Sequence, residues 1–384
     1  MRIARTGRSG RATAAAVFGM LIATSASPAS ADTIRSRQWH LDAMHAEEMW
    51  ETSKGTGITV AVIDSGVDAR LPDLQDQVLE GRNFSGDEED ARMDTDGHGT
   101  RMAALIAGTG KRGSELGAYG LAPGAKILPV RVDENNFRDD SLAMVKALHY
   151  AADSEARIIN ISLGSPGRSI EVEKAIDYAL SRGKMIFAAV GNSGEKDNPI
   201  QYPAATPGVI GVAAIGRDGT STRESEHGPQ VDLAAPGDEM VSACTGGTQL
   251  CKGHGTSDAS AIASASAALL WSVHPTWTAN QITRVLINTA GGPENGKKRT
   301  DLIGYGAVRP RIALKDPGDP GPADVSPLPG TESKSAAGEV QEQAAASKGD
   351  DGPTPTWIAA GIGAAALLGA AITVPILIAR RRRP

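Results

Sequence analysis

Hydrophobic positions fall into two kinds of run between residues 55 and 313. Short runs rich in β-branched residues (GITVAVID, AKILPVRV, RIINISL, MIFAAVGN, VIGVAAIG) have little polar interruption, as strands covered on both faces do. Between and after them, apolar residues recur at three- and four-residue spacing in TRMAALIAG, SLAMVKALHYAADSEA, SIEVEKAIDYALSRG, ASAIASASAALLWSV and TANQITRVLINTA. Pro275 ends the fourth of these helices, and Thr278 suits the N-cap of the fifth. Strands alternating with helices predict βαβ units and a mainly parallel sheet with helices on both faces.

Outside that block the pattern changes. Residues 32–54 are polar and helix-like, with Trp39 and Trp50. Residues 315–356 hold Pro, Gly, Ser and acids with almost no large apolar side chain, a composition expected of a stalk rather than a core. Residues 1–31 combine Arg2, Arg5, Arg8 and Arg11 with the run ATAAAVFGMLIA and the end Ala29-Ser30-Ala31, which predicts a cleaved secretory signal. Trp357 to Ala379 contains 23 residues and no charge. A bilayer needs about 20. Arg380 to Arg383 follow at once and, by the positive-inside rule, place tail 380–384 in the cytoplasm. The expectation is a single-pass cell-membrane protein with its bulk outside.

The formal charge of −6 leaves −14 on residues 32–356 once the four arginines at each end are set aside. So acidic a body argues against nucleic acid as partner. Its two cysteines, Cys244 and Cys251, suit a local disulfide in an exported chain and are too few for a zinc site. Acidic loops at Asp87–Asp90, Asp94 and Asp96 leave structural calcium open, although their spacing fits no EF-hand. No cofactor is required.

Some motifs mislead. Gly108, Gly110 and Gly113 match G-x-G-x-x-G but follow a helix, where a dinucleotide fingerprint follows a strand. LPGTE (328–332) departs from a sorting signal in its last residue. GTSDA lacks the final glycine of the G-x-S-x-G elbow.

Three positions carry chemistry as a set. Asp64 ends a strand in VAVIDSGVD, His98 begins a helix in DGHGTRMAALIAG, and Ser257 begins another in GTSDASAIASA. In parallel α/β sheets, reactive groups collect at strand carboxyl ends and the helix starts that follow. A serine there can attack a carbonyl, a histidine can take its proton, and a carboxylate can hold the imidazole.

In order, VIDSGVD, DGHGTRMAALIAG, GLAPGAKILPVRV, INISLG, AAVGNSG and GTSDASA resemble the subtilisin-like serine proteases, the subtilases, over about residues 55–313. The resemblance implies a three-layer α/β domain with a seven-stranded, mainly parallel sheet between helices. It implies a serine endopeptidase with Asp64, His98 and Ser257 as triad and Asn192 in the oxyanion hole. It also implies that Ser162, Leu163 and Gly164 pair with an extended peptide or protein substrate. Ala188, Ala189, Val190 and Gly191 would line the pocket before the scissile bond. The signal, anchor and stalk resemble the mycosins, membrane-anchored subtilases associated with type VII secretion complexes. A scaffold role in such a complex, with little proteolysis, is the rival expectation.

The expected layout is a signal (1–31), an N-terminal extension (32–54), a catalytic domain (55–314), a stalk (315–356), a transmembrane helix (357–379) and a tail (380–384). Only 23 residues separate the signal from the domain, too few for a large pro-domain, so they are expected to pack on the domain. His254, three residues before Ser257, is expected to support its loop. Asp258 departs from the family's Met or Phe. It either complements the helix dipole or acts on His98.

Overall fold

The computed structural model describes residues 33–133, 141–293 and 296–331, with Met1 and Ala4. Its seven-stranded sheet is built from β1 (Thr59–Asp64), β2 (Arg82–Asn83), β3 (Lys126–Arg131), β4 (Ile158–Ile161), β5 (Met185–Ala189), β6 (Ile210–Ile215) and β7 (Leu233–Pro236). The order is β2-β3-β1-β4-β5-β6-β7, and every neighbouring pair is parallel. This is the subtilisin-like α/β sheet that the resemblance implied. Side chains of β1 alternate between the two layers: Val60 and Val62 face one, Ala61 and Ile63 the other. Both faces are buried, which explains the unbroken hydrophobic runs.

The N-terminal segment forms α1 (Ile34–Arg37), α2 (Trp39–Ala43) and α3 (Ala46–Thr52). Its polar reading hid a buried stripe, because Leu41 and Met49 sit in the core. Gln38 is also buried and bonds both Tyr119 and Val241. The indole N–H groups of Trp39 and Trp50 donate to the carbonyls of Asp238 and Leu121. The segment is thus packed on the domain.

Helix α4 (His98–Ala107) shares one layer with α7 (Thr256–Val273) and α8 (Ala279–Thr289), while α5 (Ser141–Asp153) and α6 (Ile170–Ser181) cover the opposite face. Thr278 caps α8 in a capping box with Gln281. Helix α7 is buried from Thr256 to Trp271 on all sides, so its serines need internal partners. Ser260 and Ser264 donate to Asn160 Oδ1 at 2.9 and 3.1 Å. Asn160, in β4, thereby fixes α7 against the sheet.

Strands β8 (Met240–Ala243) and β9 (Leu250–Gly253) form a short antiparallel hairpin closed by the Cys244–Cys251 disulfide. After α9 (Pro310–Lys315), the segment expected to begin a stalk lies against α8. Arg284 donates to the carbonyls of Pro320, Pro322 and Val325, and Leu328 is buried. A proline-rich stretch needs few core contacts when one guanidinium collects its carbonyls.

Among the described residues, no helix is long and apolar enough to cross a membrane. The expected span at 357–379, the tail, the stalk beyond residue 331 and the signal, apart from Met1 and Ala4, lie outside the described residues.

Candidate active site

The sheet grows in both directions from β1, and crevices form where strand order reverses. Asp64 is the last residue of β1, Ser162 follows β4, and Val190 to Asn192 follow β5. Helices α4 and α7 pack on each other with His98 and Ser257 in their first turns.

Asp64 is fully buried, and its Oδ1 lies 2.8 Å from His98 Nδ1. The same oxygen accepts the Ser65 backbone N–H at 2.8 Å. Gly99 permits this approach, since a Cβ there would stand 2.2 Å from the Gly66 carbonyl oxygen and 3.0 Å from Asp64 Cβ. The acidic DTD segment builds the start of α4. Asp94 accepts from Gly97 N, Thr100 N and Thr100 Oγ1, while Asp96 accepts from His98 N. Asp87 is paired with Arg131 and bonded to Asn83. These carboxylates, weighed for calcium from sequence, all bond to nearby backbone or side-chain groups.

Ser257 is only 7% exposed, and its Oγ donates to the Ser162 carbonyl at 3.2 Å. Asn192 Oδ1 accepts from the backbone N–H and the hydroxyl of Thr256 at 2.9 and 3.0 Å. That leaves its Nδ2 hydrogens for another acceptor. Gly191 N–H donates to Thr256 Oγ1, tying the end of β5 to the start of α7. Thr256 was not singled out from sequence, yet it orients Asn192.

The structure therefore joins Asp64 to His98, Ser257 to Ser162, and Asn192 to the residue before Ser257. Leu163, Ala188, Ala189 and Val190 are buried behind this line, with Gly164 and Gly191 flanking it. His254 turns outward, and its Nδ1 lies 2.7 Å from Glu224 Oε1. It is 67% exposed.

Asp258 was read as a helix-dipole charge or a neighbour of His98. It is fully buried and ion-paired with Arg101, one turn after His98 on α4. Burial pushes its carboxyl up, while the charge and hydrogen bond of Arg101, and then His98, pull it down. Arg101 fits because residue 253 is glycine: a Cβ there would lie 1.9 Å from Arg101 Nη1. Arg101 was missed because nothing local in HGTRMAAL marks a residue whose partner lies 157 positions away.

Residues 55–307 match the subtilase family, peptidase S8. The chain is 34% identical to subtilisin E of Bacillus subtilis over 238 residues, covering 62% of this chain and 61% of that protein. It spans about 61–64% of the length of the first curated relatives it matches. The fold resembles MycP1 from Mycobacterium smegmatis, with a TM-score of 0.65 and 27% identity over 78% of this chain and 89% of that one. It also resembles the MycP3 protease from the type VII (ESX-3) secretion system, with a TM-score of 0.62 and 31% identity over 72% and 87% of the two chains. With the family matched across the whole sheet and across every motif around Asp64, His98 and Ser257, this chain belongs to the subtilases.

Proposed function

We propose that the protein is a serine endopeptidase acting on extended polypeptides, with Ser257 as nucleophile, His98 as general base and acid, and Asp64 as the carboxylate that orients it. The contact of 2.8 Å between the buried Asp64 carboxylate and His98 Nδ1 carries this reading, because a bond at Nδ1 makes Nε2 the nitrogen that exchanges protons in the proposed chemistry. Ser257 Oγ leaves the Ser162 carbonyl and attacks the substrate carbonyl carbon as its proton passes to Nε2. The oxyanion of the tetrahedral intermediate accepts from Asn192 Nδ2 and Ser257 N–H. The C–N bond then breaks, Nε2 returns the proton to the departing amine, and an acyl-enzyme remains. Water, deprotonated by His98, releases it.

Substrate backbone would pair along Ser162 to Gly164, and the small Ala188 to Gly191 segment would leave room for the side chain before the cut. A fluorophosphonate should label the full chain, and Ser257→Ala should abolish both labelling and peptide hydrolysis. His98→Ala should do nearly the same, whereas His254→Ala should retain most activity. The opposite histidine result would reject the assignment.

The likeness to MycP1 and MycP3 and the uncharged 357–379 segment support a place at the membrane beside a type VII secretion system. Co-purification of the chain with such a complex tests this. Equal secretion in wild-type and Ser257→Ala cells would instead favour the scaffold role.

A further inference from the structure

The cleft that contains His98 has a volume of about 390 Å³. One wall comes from the start of α4, with His98 and Arg101, and the other from the hairpin, with Cys251, Lys252 and His254. None of the acyl-side residues 162–164 or 188–191 lines it. In the proposed chemistry His98 hands its proton to the departing amine, so the chain after the cut leaves on this side.

Cys251 and Lys252 also line a second, larger groove of about 630 Å³, between α1 and the hairpin. Its apolar walls are Ile34, Leu116, Val241 and Leu250. Leu116 is 49% exposed, a large apolar side chain left facing water. Its charged residues are Arg37, Arg112 and Lys252, with no acid among them. Lys252 pairs with Glu239, and the charge of Arg112 faces the buried Asp73 carboxylate, but Nη1 of Arg112 is shielded from water and has no hydrogen-bond partner. A shielded guanidinium nitrogen without an acceptor carries a cost that a ligand acceptor would offset. The chain's own residues 1–31 carry four arginines and no acid, so charge excludes them as occupant.

We propose that this groove is an exosite for the part of a polypeptide substrate that follows the scissile bond, and that it takes an apolar side chain flanked by acidic residues. The proposal rests on the protease reading. Cys251 and Lys252 border both the His98 cleft and this groove, so the groove lies beside the leaving side of the cut, and the positive lining, with Arg112 foremost, supplies the selectivity.

The test uses the full chain and peptides with one shared acyl-side sequence. One peptide ends shortly after the cut. Two others extend roughly ten residues, enough to span about 30 Å, with a leucine flanked by glutamates or by lysines. The glutamate-flanked peptide should show a KM about tenfold lower than the other two at similar kcat, because remote binding common to ground and transition states acts on KM. Leu116→Glu and Arg112→Glu should remove that gain. The detached glutamate-flanked segment, fluorescently labelled, should bind wild type and Ser257→Ala alike and bind Leu116→Glu weakly.

Equal KM values for the three peptides, or a gain that survives Leu116→Glu, would overturn the exosite. So would a wild-type dimer that Leu116→Glu converts to monomer, since a second copy would then occupy the groove. Failure to cleave even the short peptide would reject the protease reading, a result distinct from loss of selectivity.

Discussion

At the scale of single residues, the site depends on which atoms are already engaged. Asn192 uses Oδ1 on Thr256, so its Nδ2 hydrogens are kept for another acceptor. Asn192→Ala should lower kcat about 10²–10³-fold with little change in KM, a loss of about 2.7–4 kcal/mol; that magnitude is the one measured for the oxyanion-hole asparagine of subtilisin, a relative of this chain. A proportionate rise in KM instead would mean that Asn192 binds ground-state substrate. The sequence motifs in their order singled out Asp64, His98, Ser257 and Asn192 as a set, and the structure brings Asp64 to His98 and Asn192 to the start of α7. Thr256, Arg101 and Asn160 were not singled out. Each looks like an ordinary helix or strand residue until a distant segment supplies its partner, as Ser260 and Ser264 do for Asn160.

At the scale of elements, the Arg101–Asp258 pair links α4 to α7 close to where these helices carry His98 and Ser257. Removing one partner leaves the other buried and uncompensated, which costs about 3–5 kcal/mol, whereas replacing both by apolar residues is often neutral. Arg101→Met and Asp258→Met should each lower the urea midpoint strongly, and the double variant should recover most of the loss. Additive losses in the double variant would show that the ion pair is not what joins the helices. The long helices were readable from apolar positions three and four apart, and the buried strands from short unbroken β-branched runs. The hairpin of β8 and β9 was not, because four-residue strands carry too short a pattern. The 316–331 segment lacks hydrophobic periodicity, and Arg284 holds it through backbone carbonyls that composition does not report.

For the molecule as a whole, two buried groups give stability opposing dependences on pH. His40 is enclosed, and burial lowers its pKa from 6.5 to about 3. Between those values the unfolded chain binds more protons, so this group's contribution weakens as pH falls, by at most about 1.4 kcal/mol per unit. Asp232 is raised by burial from 3.8 to about 7, and there the folded chain binds the extra proton, so its contribution weakens as pH rises. His40→Leu should therefore gain stability relative to wild type as pH drops from 6.5 towards 4. Asp232→Asn should gain as pH rises from 4 to 7. Chemical denaturation across that range reads both, and parallel curves for wild type and variants would exclude either titration. One further consequence follows from α7, which fills the core and also carries Ser257. It packs against β1, β4, β5, β6 and β7, so it cannot settle until strands far apart in the chain have paired. Such non-local pairing is slow. A polypeptide still folding thus holds Asp64 and His98 early in its length without Ser257 beside them, so under the proposed chemistry any ability to cut arrives only with a finished interior.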